Sequence, residues 1–251
     1  MNQRPEQPEN QRTGGNEPAI LLPGVILALL GALVAIHLAR SFVLNERGDF
    51  DFTLWFAFIP LRWLNPEAFP GGQLPLLWTP LTHAFLHAGW EHLLINSAWL
   101  AIFGTPVARR YGAVPTLLVF AVSAIAGALA FAVTTLPHLQ LLVGASGGVA
   151  GLTGAACRFM FQPLLIVRDP LTGEPKAVGR RTASLKELAL HGRARFFIGI
   201  WLALNAAVPF LPMIVGGESG IAWQAHLGGF VAGLLIVPLF ERRPGGSHGT
   251  A

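Results

Sequence analysis

The chain has 251 residues, 53% of them hydrophobic and only 12% charged, with a mean hydropathy of +0.54 and a formal net charge of +4. Soluble domains carry about 25% charged residues, so this composition excludes a soluble globular protein and predicts an all-α polytopic membrane protein. The small basic excess is then no nucleic-acid signal. The single cysteine, Cys157, excludes an intramolecular disulfide and any multi-cysteine metal site.

Residues 1–18 are polar and rich in Pro, Gln, Asn and Glu, and read as a disordered tail. The first apolar run, Ala19–Leu38, is too long for a signal-peptide core and reads as a retained span. A long loop, residues 40–80, follows. Its aromatic stretch Phe50–Leu64 is interrupted by Asp51, Pro60 and Arg62. It is short of the ~20 apolar residues a span needs, and is expected to lie half-sunk at the membrane interface.

A second span is expected within Thr82–Gly104 and a third at Thr116–Val133. The fourth runs from Gly144 to about Phe161, with Arg158 snorkelling at its end. The most charged part of the chain lies within a loop, residues 162–195, with no apolar period. A fifth span, Phe196–Val215, carries Pro209 and Pro212, which break or kink its end. The sixth, Ile221–Phe240, completes one membrane domain over residues 19–241, and a short tail covers 242–251. Asn205, in the fifth span, reads as a structural hydrogen-bonding group.

The fourth span opens with Leu142-Val-Gly-Ala-Ser-Gly-Gly-Val-Ala-Gly-Leu-Thr-Gly-Ala-Ala156. Ser146 falls in the first helical turn, where backbone N–H groups lack intrahelical partners and the dipole is positive. A serine nucleophile needs those conditions if an oxyanion is to develop beside it. Gly147, Gly151 and Ala155 also make the small-residue seam that lets membrane helices pack closely. This segment alone leaves packing and catalysis both open.

Basic residues orient the chain. Arg4, Arg12, Arg109, Arg110, the eight Lys and Arg from Arg158 to Arg195, Arg242 and Arg243 fall on one side, leaving Arg40, Arg47 and Arg62 on the other. The positive-inside rule puts both termini in the cytoplasm, which requires an even number of spans. Spans two, four and six then all enter from outside, each with its polar residues in the outer half. These are His92 and Asn96, which share a helix face at i,i+4, then Ser146, then His226. At ~1.5 Å per residue the four groups sit at similar depth, and polar groups within a membrane mark function.

Taken together, these residues resemble the rhomboid family of intramembrane serine proteases, across the six-span region from Ala19 to Phe240. The resemblance is carried by Gly144-Ala145-Ser146-Gly147, by His226 with Gly229 and Gly233, and by His83, His87, His92 and Asn96 in the second span. It implies a six-transmembrane-helix rhomboid-like bundle with Ser146 as nucleophile, His226 as general base, and His92 and Asn96 stabilising the oxyanion with the Ser146 amide. It implies cleavage of single-pass or multi-pass membrane protein substrates near the outer leaflet of a bacterial inner membrane. No metal, nucleotide or redox cofactor is implied. Two positions depart from the family pattern. Thr79 follows Trp78 where an Arg is frequent, and Ala150 stands where many members place an aromatic that stacks on the base. Trp223 or another aromatic is expected to take that role.

Other chemistries fit less well. A metalloprotease motif His-Glu-x-x-His is absent, and on one continuous helix His87 and His92 stand about 140° apart. No expected span contains the two aspartates of an aspartyl protease. A transporter would spread polar groups through several spans instead of gathering them on one side. A catalytically inactive relative that binds membrane clients without cutting them usually lacks the serine or the histidine, and both are present.

Overall fold

The computed structural model describes residues 22–169, 172–207 and 222–241, and these are mostly helical. The tail 1–18, Pro209, Pro212 and the loop Gly216–Gly220 lie outside the described residues. Helix α1 (Gly24–Phe42) is followed by α2 (Glu46–Phe56), three short 3-10 turns, and a single α-helical turn α3 (Thr79–Thr82). Helix α4 (Trp90–Trp99) passes through a π-helical turn at Leu100–Gly104 into α5 (Thr105–Tyr111). Gly112, at φ 84°, reverses the chain into α6 (Ala113–Thr135), which contains the third expected span. Helix α7 (Ser146–Met160) is followed by α8 (Leu185–Leu190), α9 (Gly192–Ala207) and α10 (Trp223–Ile236).

Among the described residues, three helical segments are long and apolar enough to cross a membrane: α1, α6, and α10 with its 3-10 extension to Phe240. Helix α6 is apolar outside as well as inside. Val114, Leu118, Leu129 and Val133 are exposed, while Val119, Phe120, Ala124 and Ala128 are buried. A helix apolar all round belongs in a large core or in lipid.

Helix α7 is the centre. Every residue from Gly147 to Phe159 is buried. One apolar cluster joins α7 to α1, α4, α5 and α6 through Ile26, Leu93, Val107, Phe120 and Leu152. A second joins it to α9 and α10 through Ala150, Cys157, Trp201 and Phe230. The contact with α10 is backbone to backbone. A Cβ on Gly229 would stand 2.0 Å from Gly147 O, and one on Gly233 would stand 1.8 Å from Gly151 O. Both contact pairs advance by four residues in the same direction, so α7 and α10 run parallel. The small-residue seam is real.

Four expectations change. The all-α reading misses an antiparallel hairpin, β1 (Leu164–Arg168) with β2 (Pro175–Arg180), in the charged loop. Its first strand, Leu-Leu-Ile-Val-Arg, is the aliphatic, β-branched run that favours extended chain. Arg158 does not snorkel. It is buried, donating from Nε to Ala183 O at 2.7 Å and from a terminal nitrogen to Leu234 O at 2.8 Å. It thereby ties the end of α7 to the hairpin loop and to α10.

The aromatic loop is also more than a half-sunk interface segment. Ala57–Pro60 are buried, and so is Arg62, which donates to the carbonyls of Leu54, Pro70 and Gly72. Three carbonyls gathered on one guanidinium satisfy a charge that would otherwise be costly to bury. Finally, the second span is not one continuous helix. The chain is 3-10 at His83–Phe85, extended at Leu86, and helical again only from Trp90.

Candidate active site

The approach to Ser146 is pinned residue by residue. Leu142 pairs with Phe58 of the aromatic loop, Phe58 N–H donating to Leu142 O at 3.1 Å and Leu142 N–H donating back at 2.8 Å. Gly144 N–H donates to His83 O at 2.9 Å, and Ala145 N–H meets His87 Nε2 at 3.4 Å. His83 is itself fixed, its Nδ1–H donating to Thr79 O at 3.0 Å. The His87 carbonyl accepts from Arg40 at 3.0 Å, and Arg40 is held by Asp49 and Thr53. Helix α1, the loop over residues 40–80 and the broken second span therefore all converge on the chain that leads into the serine.

Gly144 makes the turn at φ 118°, where a side chain would be strained. A Cβ there would also fall 2.6 Å from the His92 ring. His92 thus lies directly against the turn that delivers Ser146. The first α-helical bond of α7 runs from Val149 N–H to Ala145 O at 2.9 Å. It leaves the Ser146, Gly147 and Gly148 amides at a bare helix start. The break at Leu86–Gly89 undoes the premise that His87 and His92 point apart, since their rings meet edge-on with centroids 5.1 Å apart.

Asn96 is buried on α4 one turn from His92, and its Nδ2 donates to His92 O at 2.9 Å. The remaining amide hydrogen and Oδ1 are not committed by that bond.

His226 reaches the same region from α10. Ala225, the residue before it, places its carbonyl oxygen 3.5 Å from a Cβ position on Gly147, the residue after Ser146. Serine and histidine are each one residue from that helix–helix contact. Sequence reading gave Asn205 a purely structural part, and it foresaw neither its partner nor the grip on Ala145 by His87. Asn205 Oδ1 lies 2.7 Å from His226 Nδ1. The group that meets the His226 ring is an amide on α9, where an aromatic was expected. Ala150, standing where that aromatic would be, packs in one buried cluster with Trp201 and Phe230.

Several known proteins resemble this chain. A family profile described as a rhomboid domain matches residues 75–243. The putative rhomboid protease YdcA of Bacillus subtilis is 32% identical over 170 residues, 66% of this chain and 70% of that protein. The rhomboid protease GlpG of Haemophilus influenzae is 27% identical over 162 residues, 63% of this chain and 67% of that protein. Rhomboid-related protein 3 of Homo sapiens is 40% identical over 79 residues, but the match spans only 19% of its length.

Proposed function

Because the chain belongs to the rhomboid family of integral membrane proteins, we propose that it is an intramembrane serine endopeptidase working through Ser146 and His226. The observation that carries this reading is the pinned, glycine-turned approach to Ser146 beside the backbone contact between α7 and α10. In this reading Ser146 Oγ attacks a scissile carbonyl carbon and His226 takes the hydroxyl proton. The C–N bond then breaks, His226 passes the proton to the departing amine, and an acyl-serine remains. Water, deprotonated by the same histidine, releases the acyl group and restores the serine. Negative charge on the carbonyl oxygen is met by the Ser146 amide, His92 and Asn96.

The substrates are transmembrane segments of other membrane proteins, cut near the outer leaflet. A helical substrate hides its carbonyls in backbone hydrogen bonds, so cleavage needs local unwinding, which Gly and Pro tolerate best. Six spans with both termini in the cytoplasm of a bacterial inner membrane are part of the same proposal. So is a membrane domain over residues 19–241. Ser146→Ala is expected to abolish both cleavage of a model transmembrane substrate and labelling by a fluorophosphonate, with the protein still folded. Undiminished cleavage by that variant would remove the assignment. Substrate capture without cleavage by the unmodified protein would make it a client-binding relative instead.

A further inference from the structure

We infer that Asn205 is a positioning residue for the general base, fixing His226 in the tautomer that carries its proton on Nδ1 and leaves Nε2 free to take a proton from serine. This rests on the Ser146–His226 reading above. The assignment follows from the donors and acceptors available. Asn205 Nδ2 donates to Trp201 O at 2.8 Å, one turn back on α9, so the nitrogen of the amide is identified by the carbonyl it meets. Oδ1 is then the atom 2.7 Å from His226 Nδ1. A side-chain carbonyl oxygen can only accept, so Nδ1 must donate, and in a neutral imidazole the other nitrogen is left with its lone pair. In water a neutral histidine favours the opposite tautomer, so the protein has to impose this one.

The frame around the pair is built to hold it. Trp201 and Asn205 are one turn apart on α9, and His226 and Phe230 are one turn apart on α10. Asn205 meets His226 while Trp201 stacks on Phe230, with centroids 4.4 Å apart and planes 20° apart. The two helices run antiparallel, so an apolar rung lies one turn beyond the polar rung and sets both register and rotation. Asn205 and Trp201 are 8% and 9% exposed, so little water competes for the amide. Ala150 belongs to the same cluster as the stacked pair. The small residue at that position and the amide across the groove form one arrangement, in which the base is held by a hydrogen bond.

Two measurements test this on the full-length protein in lipid bilayers. In ring-15N-histidine protein, the His226 signals, identified by their loss in His226→Ala, are expected to show a protonated Nδ1 and a bare Nε2 above the ring's titration. A proton on Nε2 overturns the inference without any Asn205 variant having to fold. In the second, Asn205→Leu keeps the branched shape and the number of side-chain heavy atoms but removes the acceptor. Its kcat per folded molecule should fall by roughly 10- to 100-fold, less than the ~10²–10⁴ that a general base contributes in full, with KM unchanged. Asn205→Asp, which retains an acceptor oxygen, should recover most of that loss. A helix-to-helix tie alone predicts lower thermal stability with kcat intact, and that result also sinks the inference. Cleavage surviving in Ser146→Ala would fail the protease reading while leaving the tautomer measurement standing.

Discussion

Gly229→Ala puts the packing seam and the chemistry under one test. The added Cβ would stand 2.0 Å from Gly147 O, with Gly147 C at 2.8 Å and Cα at 3.1 Å behind it. All three are backbone atoms of a buried helix, so no side chain can swing aside. Reaching a contact distance of about 3.5 Å requires α7 and α10 to part by roughly 1.5 Å. Overpacking of this kind costs about 1–3 kcal/mol, against a gain of at most ~1 kcal/mol from replacing a helical glycine by alanine. On the proposed Ser146–His226 mechanism the larger consequence is catalytic. Ser146 adjoins Gly147 and His226 lies one turn from Gly229, so the parting separates nucleophile from base. A misplacement of about 1 Å costs on the order of 10²-fold, so turnover should fall at least that far. The assay is cleavage of a transmembrane substrate in proteoliposomes, scaled to folded protein, with thermal unfolding on the same preparation. Gly31→Ala on α1, where a Cβ would meet nothing within 4 Å, is the control and should be neutral or mildly stabilising. Gly229→Ala with the turnover and stability of the unmodified protein would refute the idea that this contact sets the catalytic distance.

Other expectations follow from the site and its surroundings. His92→Ala and Asn96→Ala should each lower turnover by about 10²–10³, or ~2.7–4 kcal/mol, and react slowly with the fluorophosphonate. Substrate capture should be nearly unchanged, because the oxyanion exists only in the transition state; loss of stability with turnover intact would assign the pair to packing. A cytoplasm-dependent reporter should be active after Arg181 and silent after Gly72, and the reverse pattern would invert the orientation. In the charged loop, Arg181 beside the Glu187 carboxylate, helped by the Ser184 amide and hydroxyl, holds it down from the usual 4.5 to about 2. A depressed carboxylate stabilises above its unfolded value and loses that contribution as pH falls. Protection from hydrogen exchange over Leu185–Leu190, taken relative to the intrinsic rate at each pH, should therefore fall between pH 4.5 and 2, and Glu187→Gln should flatten that step.

The residues that carry the family resemblance were readable because each is a local signal. A serine between glycines at an apolar helix start, a histidine ahead of a glycine seam, and a histidine and asparagine at i,i+4 all lie within a few residues of chain. The seam between Gly147 and Gly229 could be proposed for the same reason. What sequence could not supply was rotational phase. Asn205 meets His226 while Trp201 stacks on Phe230, which together fix the face that α9 turns, and the apolar run from Phe196 to Leu204 has no periodicity that reports its rotation. Arg158 looked like a helix-end cation because its acceptors, Ala183 O and Leu234 O, are distant backbone atoms. The break at Leu86–Gly89 was hidden by hydrophobicity that continues across it.

The brevity of α7 also bears on how the protein meets membranes of different thickness. Its 15 residues cover about 22 Å along the axis, against a hydrocarbon layer of roughly 30 Å. From Gly147 to Phe159 it is sheathed by other helices, so hydrophobic mismatch acts on it only through its neighbours. A thicker or thinner bilayer tilts the lipid-facing helices such as α1 and α6 at a modest cost, while the nucleophile keeps its position relative to the protein. If the proposed proteolysis holds, bilayer thickness then selects which stretch of a substrate helix arrives at Ser146, and the site of the cut should shift along the substrate as the lipid is changed.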